Sequence, residues 1–99
     1  MNTQAPWSGS GTTNPSNPAA GTSVDVRNPN NPQELANSLL IRNTGGTHAL
    51  EVSWDGGSTF TTTVPSNTYI QLWGIAIDFI NVKADAGTTT YEWIGTSAH

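Results

Sequence analysis

A chain of 99 residues has room for one domain with a modest core. Three basic side chains against seven acidic ones can neutralise few phosphates, so the composition argues against nucleic-acid binding. The absence of cysteine excludes disulfides, thiol catalysis and thiolate metal sites together. No apolar run approaches the roughly 20 residues that a membrane-spanning helix needs, so we expect no membrane partner.

The first 21 residues show no hydrophobic periodicity and are rich in proline, serine, threonine and asparagine. Such a composition cannot bury enough apolar surface to fold by itself. We therefore predict a flexible N-terminal arm at residues 1–21 and a folded domain at residues 22–99. Trp7 is the exception in the arm, because aromatic anchors are favoured where a segment docks. We interpret Trp7 as a candidate partner contact, with a plain disordered tail as the alternative.

About seven runs of alternating apolar and polar residues follow the arm, separated by glycine, proline, asparagine and aspartate. They lie at residues 22–28, 38–42, 49–54, 60–64, 68–73, 75–84 and 88–94. Short strands at this spacing, without a convincing helix, are typical of all-β domains. We expect a small antiparallel β-sandwich or a jelly-roll-like barrel of about seven strands.

Residues 38–60 carry the clearest alternation, with leucine, isoleucine and valine on one side of each predicted strand. The Asn-Thr-Gly-Gly segment at 43–46 tolerates positive φ, so we predict that the chain reverses there into a neighbouring strand. The result would be an antiparallel meander with one apolar face, which a second sheet must cover. Trp54 lies on that face and is assigned to the core.

Two features stand out between residues 68 and 84. Gly74 is expected to end the strand at 68–73, in which Trp73 lies opposite the inward-facing apolar residues. We therefore interpret Trp73 as a candidate partner contact on the surface. In the run at 75–84 the alternation changes phase near Phe79, which predicts a β-bulge within one strand.

The octapeptide at 53–60, Ser-Trp-Asp-Gly-Gly-Ser-Thr-Phe, resembles the Asp-box, Ser-x-Asp-x-Gly-x-Thr-aromatic. The carboxylate of such a turn can accept hydrogen bonds from turn amides. The Asp-box recurs in sialidase-like propellers, away from the catalytic centre, and a chain of this length cannot supply several four-stranded blades. We therefore assign a structural role in the turn to Ser53, Asp55, Gly57, Thr59 and Phe60.

No set of residues argues for catalysis. Glu51 and Glu92 fall on outward faces of predicted strands, and neither His48 nor His99 has a partner at triad or metal-ligand spacing. We predict no catalytic residue, no metal site and no cofactor. The four tryptophans could instead form a platform for sugar rings. A carbohydrate-binding or host-adhesion module of a phage tail or fibre is therefore the alternative function.

The run LLIRNTGGTHALEVSWDGGSTFTTTVPSNTYIQL, followed by INVKADAGTTTYEWIG, resembles small virion proteins of tailed bacteriophages. The resemblance covers residues 38–95. Proteins of this kind are β-sandwiches that decorate or cement capsids, often as trimers at local three-fold positions, and others belong to tails or necks. The resemblance implies a capsid decoration protein on the phage head surface, with the major capsid protein as its partner and a homotrimer as its oligomeric state.

Overall fold

The computed structural model describes residues 6–13, 21–31 and 33–97. These residues form eight β-strands and no helix, so the all-β prediction is confirmed, with one strand more than expected. Nothing in the described part of the chain could cross a membrane as a helix. The strands are β1 (Trp7–Thr12), β2 (Thr22–Asp25), β3 (Ala36–Asn43), β4 (Leu50–Ser53), β5 (Thr62–Val64), β6 (Tyr69–Ile77), β7 (Phe79–Ala84) and β8 (Thr90–Thr96).

The strands are arranged as one long hairpin that has been rolled up. β4 and β5 form its tip, and β3–β6, β2–β7 and β1–β8 are the successive pairs along its arms. Rolling adds the pairs β3–β8 and β4–β7. The product is two antiparallel sheets, sheet I in the order β1-β8-β3-β6 and sheet II in the order β2-β7-β4-β5. This arrangement is a jelly roll.

The core lies between the two sheets and is built from alternate residues of most strands. β3, β4 and β7 each contribute aliphatic side chains that have almost no exposed surface, as the alternation predicts. Trp54 is only partly buried and packs at the margin of this core, where its indole N–H donates to the Thr62 hydroxyl at 2.8 Å. The fully buried aliphatic side chains are Leu39, Ile41, Leu50, Val52, Val64, Ile80, Val82 and Val26.

The predicted meander is wrong, because β3 and β4 belong to different sheets. Residues 44–49 carry the chain across the end of the sandwich rather than back along a neighbouring strand. The turn residues provide the flexibility to reverse, but they do not decide the direction. Placing the strands in opposite sheets lets the apolar faces of both be buried in a single core.

Asn43 links the two sheets at this end of the sandwich. Its amide nitrogen donates to the carbonyls of His48 at 2.8 Å and Val64 at 3.0 Å. Its amide oxygen accepts from the Gly45 N–H at 3.0 Å and from the Thr89 hydroxyl at 2.8 Å. The side-chain amide thus uses both donors and both acceptor positions, in a residue with no exposed surface. Its partners lie in β5 and in the β3–β4 and β7–β8 loops.

Trp7–Thr12 is not an arm but the edge strand β1 of sheet I, paired with β8. The predicted boundary at residue 21 is therefore wrong for these residues. Trp7 is 7% exposed and its indole N–H donates to the Val26 carbonyl at 2.8 Å, so it belongs to the core rather than to a partner contact. The rest of the predicted arm, at 1–5 and 14–20, lies outside the described residues.

Glycine allows β1 to pair closely with β8. The inward-facing cross-strand pairs are Trp7–Gly95, Gly9–Trp93 and Gly11–Tyr91, each an aromatic residue opposite a glycine. A Cβ on Gly9 would lie 2.7 Å from the indole nitrogen of Trp93, and a Cβ on Gly95 would lie 2.9 Å from that of Trp7. Each indole therefore covers the opposite glycine.

β6 continues through Gly74 to Ile77, so the predicted strand end is also wrong. A single residue of β3, Asn37, stands opposite residues 74–76, which makes this part of β6 a bulge. Gly74 has a positive φ of 69° there, and the Asn37 amide donates to the Ile75 carbonyl at 2.9 Å. The bulge shifts the alternation, so that Ile75 and Ile77 pack against the core.

The predicted bulge near Phe79 is a break between two strands. At Asp78 the chain leaves sheet I and enters sheet II, which explains the change of phase in the sequence. The Asp78 carboxylate accepts from the Phe79 N–H at 2.7 Å, and its carbonyl accepts from the Val26 N–H at 2.8 Å. A period-2 pattern does not distinguish a bulge from a crossing between sheets.

The two tryptophans that the sequence analysis treated alike should differ in their effect on stability. We expect Trp7→Ala to lower the free energy of unfolding by about 3–5 kcal/mol, because it empties a buried aromatic site. Trp73→Ala is the matched control, since its side chain is 70% exposed, and should change stability by less than about 0.5 kcal/mol in dilute protein. Urea unfolding of both variants measures this. Equal losses would contradict the place of β1 in the fold.

Candidate functional site

Exposed apolar side chains concentrate on one surface, the outer face of sheet I. Of four large apolar residues that are strongly exposed in the described chain, three lie there: Tyr69 (62%), Trp73 (70%) and Ile94 (43%). The fourth is Phe79, in sheet II. Trp73 is thus exposed on the surface where the sequence placed it.

Strand register arranges this face in three rows of side chains. The first row is Ser10, Glu92, Arg42 and Tyr69, and the second is Ser8, Ile94, Leu40 and Gln71. The third row is Thr96, Ser38 and Trp73. Hereafter these residues define the outer face of sheet I. Its centre is aliphatic, its β6 side is aromatic, and its β1 side carries serine hydroxyls.

A shallow groove of about 820 Å³ runs across this face and opens to solvent. Side chains of the first two rows line it, among them Leu40, Arg42, Tyr69 and Ile94. Trp73 stands outside the groove, one row further along β6. The volume lies within the range of about 300–1,000 Å³ that is usual for ligand sites.

The one ion pair on this face leaves it without net charge. An Arg42 guanidinium nitrogen lies 3.6 Å from a Glu92 carboxylate oxygen. The Arg42 side chain is 59% exposed and the Glu92 side chain 50%. Such a pair contributes about 0–1 kcal/mol to stability, because water screens it. Apolar contact is therefore the main interaction that this surface offers to a partner.

The aromatic rings outside sheet II each have a cation of the chain over them, in contrast to those outside sheet I. Lys83 Nζ lies 4.3 Å from the Phe60 ring centroid, and the Arg27 guanidinium carbon lies 4.9 Å from that of Phe79. These are the cation–ring contacts found among the described residues. A cation over a ring satisfies part of the ring surface within the chain. Tyr69 and Trp73 have no such cation among the described residues and are more exposed than Phe79.

The Asp-box-like turn forms the β4–β5 tip of the rolled hairpin. Asp55 accepts hydrogen bonds from the Thr59 N–H at 2.9 Å, from the Thr59 hydroxyl at 2.6 Å and from the Ser53 hydroxyl at 2.7 Å. The Ser53 oxygen in turn accepts from the Gly57 N–H at 2.9 Å. Gly57 has a φ of 92°, which favours glycine, and the Phe60 ring is half-buried beside the turn.

These hydrogen bonds hold the pKa of Asp55 down to about 2, with the Thr59 hydroxyl the largest cause, followed by the Thr59 N–H and the Ser53 hydroxyl. All of these donors belong to the turn itself. The carboxylate is ionised at neutral pH and is engaged in closing its own loop. The geometry therefore agrees with a structural role for Asp55.

His48 has a partner that the sequence did not reveal. Its Nδ1 lies 3.1 Å from Asp85 Oδ1, which connects the β3–β4 and β7–β8 loops beside the Asn43 amide. Groups of three or more histidine, aspartate or glutamate side chains able to hold a metal ion do not occur within the described ranges. The expected absence of catalytic residues and cofactors stays a prediction.

Of the residues on this face, Trp73 was predicted from the sequence to be a surface contact, whereas Leu40, Tyr69 and Ile94 were not predicted to share one surface. A signal was present, because Leu40 and Ile94 are apolar residues at positions where the alternation of their strands calls for polar ones. Only the pairing of β3 with both β6 and β8 brings these side chains together.

The chain shows no similarity that would assign it to a family. No family model matches it, and no match is found among curated proteins or solved structures.

The turn at Asp55 makes stability depend on pH in a defined window. Because the pKa of Asp55 is lowered from 3.8 to about 2 in the folded protein, its ionised form stabilises the fold above about pH 4. That contribution is lost as the pH falls towards 2. We expect Asp55→Asn to melt at a lower temperature than the wild type at pH 5–7, with a difference that shrinks towards pH 2. Thermal unfolding from pH 2 to 7 measures it, and a constant difference would contradict this role.

Proposed function

We propose that the protein is a capsid decoration (cement) protein that binds the outer surface of a phage head across capsid-subunit junctions. The observation that carries the proposal is the set of uncovered side chains Tyr69, Trp73 and Ile94 around Leu40 on one sheet face. Exposed apolar patches rimmed by polar residues mark protein–protein contact sites. The resemblance of residues 38–95 to phage virion proteins supports a capsid as the partner.

The proposed mechanism is burial of this face against the capsid. The Trp73 ring, at 70% exposure, has roughly 100–175 Å² left to bury, worth about 2.5–4 kcal/mol before the costs of association. A protein that binds the assembled head but not separate subunits stabilises the head by mass action. Contact across a junction therefore raises the energy needed to separate neighbouring subunits.

The resemblance adds the major capsid protein as the partner and a homotrimer as the bound form. Three linked copies would present the outer face of sheet I three times, and a second contact made by a bound trimer is intramolecular. Modest affinity at each face would then give tight attachment. The three basic side chains and the acidic balance agree with a partner that is neither nucleic acid nor membrane.

Truncating the exposed ring tests the docking face. We expect Trp73→Ala to weaken binding to capsids assembled from the major capsid protein about 10- to 100-fold, as for a central aromatic contact. Phe79→Ala, which removes an exposed aromatic ring from sheet II, is the matched control and should bind nearly as the wild type does. Co-sedimentation with capsids gives both affinities. The reverse ranking would place the docking surface on sheet II.

The groove favours a second candidate, a carbohydrate-binding or host-adhesion module of a phage tail or fibre. Its wall combines the Tyr69 ring with the charged pair of Arg42 and Glu92, and with polar groups of β1. An aromatic face beside hydrogen-bonding groups is suited to a pyranose ring, which has an apolar face and hydroxyl edges.

A glycan array separates the two functions. If the protein is an adhesion module, we expect binding to defined oligosaccharides that falls at least tenfold in Tyr69→Ala, because the ring stacks on the sugar. Phe79→Ala should leave that binding unchanged, since Phe79 lies in the other sheet. Capsid binding without any glycan signal would leave the decoration proposal standing alone.

A further inference from the structure

β6 forms an open edge of sheet I. Its one neighbour among the described strands is β3, because the sheet order places β6 last. Natural proteins protect such edges with lysine, proline or inward charges. The sequence of β6, Tyr-Ile-Gln-Leu-Trp-Gly-Ile-Ala-Ile, contains no charged residue and no proline. Nothing in this strand blocks the approach of another strand.

The register shows which backbone groups the edge presents. The Asn43 N–H donates to the Thr68 carbonyl at 2.9 Å, so Asn43 and Thr68 form a hydrogen-bonded pair. The next pair along the two strands, Arg42 with Tyr69, is therefore of the non-hydrogen-bonded type. Antiparallel pairs alternate between hydrogen-bonded and non-hydrogen-bonded types. The N–H and C=O groups of Tyr69 therefore point away from β3, and the same follows for Gln71 and Trp73.

We infer that a second copy of this chain pairs with β6 through this edge, antiparallel and centred on Gln71. Gln71 then lies opposite the partner's Gln71, and each of these residues exchanges both backbone hydrogen bonds with its opposite residue. Tyr69 lies opposite the partner's Trp73, and Trp73 opposite the partner's Tyr69. The two copies of sheet I join into one continuous eight-stranded sheet about a two-fold axis.

Self-complementarity of the side chains is the reason to choose a second copy. The two-fold axis at Gln71 brings the exposed rings of the two chains together as cross-strand aromatic pairs, one on each side of the axis. The four rings of a dimer have on the order of 400–700 Å² to bury. They supply roughly a third to three-fifths of the 1,200 Å² that a stable interface needs. The strand edges and their flanking side chains supply the rest.

The other edges fit a second copy less well. β1 places only Ser8, Ser10 and Thr12 on its outer face, so its pairing would bury little apolar surface. β2 carries Asp25, and β5 has three residues. On β6, the bulge at Gly74 ends the regular strand after Trp73. Two copies then pair along the regular part of β6, from Tyr69 to Trp73, and the assembly closes about the two-fold axis.

The inference does not rest on the proposed function, although pairing draws on the Tyr69 and Trp73 rings that also belong to the outer face of sheet I. Pairing at β6 uses one edge of one sheet, so it joins two trimers as readily as two monomers. It also doubles the outer face of sheet I, because Leu40 and Ile94 of both copies then lie on one continuous surface.

Cross-linking tests the register directly, because the chain has no cysteine of its own. A hydrogen-bonded pair has its Cα atoms about 5.5 Å apart, within the range of a disulfide. We expect Gln71→Cys to form a covalent dimer under mild oxidation at least tenfold faster than Ser10→Cys. Ser10 is the matched control, since it is exposed on the same face but on the opposite edge strand. Equal rates for the two variants would overturn the inference.

Proline tests the same contact without a covalent bond. The Gln71 N–H points out of the sheet, so Gln71→Pro removes no hydrogen bond to β3, and edge positions of this kind tolerate proline. Sedimentation velocity should show paired wild-type protein at tens of micromolar and at least a tenfold weaker association for Gln71→Pro, with an unchanged β-sheet circular dichroism spectrum.

Wild-type protein that stays a monomer or a lone trimer at 1 mM would overturn the pairing, whatever Gln71→Pro does. If Gln71→Pro does not fold, Gln71→Glu replaces it, because the two carboxylates would then lie directly opposite each other at the axis, where like charges weaken pairing. Association as strong as in the wild type would contradict the inference. Capsid binding is measured separately, so a failure of the decoration proposal does not alter these results.

Discussion

The amide of Asn43 is the interaction on which the arrangement of the two sheets depends. It is fully buried and makes four hydrogen bonds, to β5 and to two loops that cross between the sheets. An apolar residue of the same size would leave these groups unpaired inside the protein, at a cost of about 1–3 kcal/mol for each buried group. The jelly roll therefore closes at this end around a single polar side chain, and hydrophobic contact fills the space between the sheets.

At the β1 edge of sheet I, the fit between strands depends on the absence of side chains. Each inward position of β1 or β8 that carries an aromatic ring faces a glycine on the other strand, as at Trp7 and Gly95. The rings lie across the neighbouring backbone instead of competing for the same volume. This arrangement makes a strand from a segment with almost no aliphatic residues, and it buries Trp7 with its indole N–H bonded to the Val26 carbonyl.

The two outer surfaces of the sandwich differ in how much of their apolar area the chain itself covers. On sheet II, cations lie over the rings of Phe60 and Phe79. On sheet I, Tyr69 and Trp73 stand beside an aliphatic centre with no such cover among the described residues. That asymmetry supports an interaction role for sheet I, through its face towards a capsid or a glycan and through its β6 edge towards a second copy. The fold alone does not indicate which surface binds a partner, since jelly rolls serve many functions.

The sequence by itself determined the all-β class, the inward and outward sides of β3, β4 and β7, and the structural turn at Asp55. These features are local. A period-2 pattern predicts the sheet face on which a side chain lies, and the residues of the Asp-box-like turn make their hydrogen bonds within the turn itself. Only the tertiary structure decided that β3 and β4 lie in opposite sheets, that Trp7 is buried, and that Leu40, Ile94 and Trp73 share one face. Alternation specifies the face on which a side chain lies but not the strand that pairs beside it. The paired strands here are far apart in the chain, and they pair because that arrangement closes a single core between the sheets.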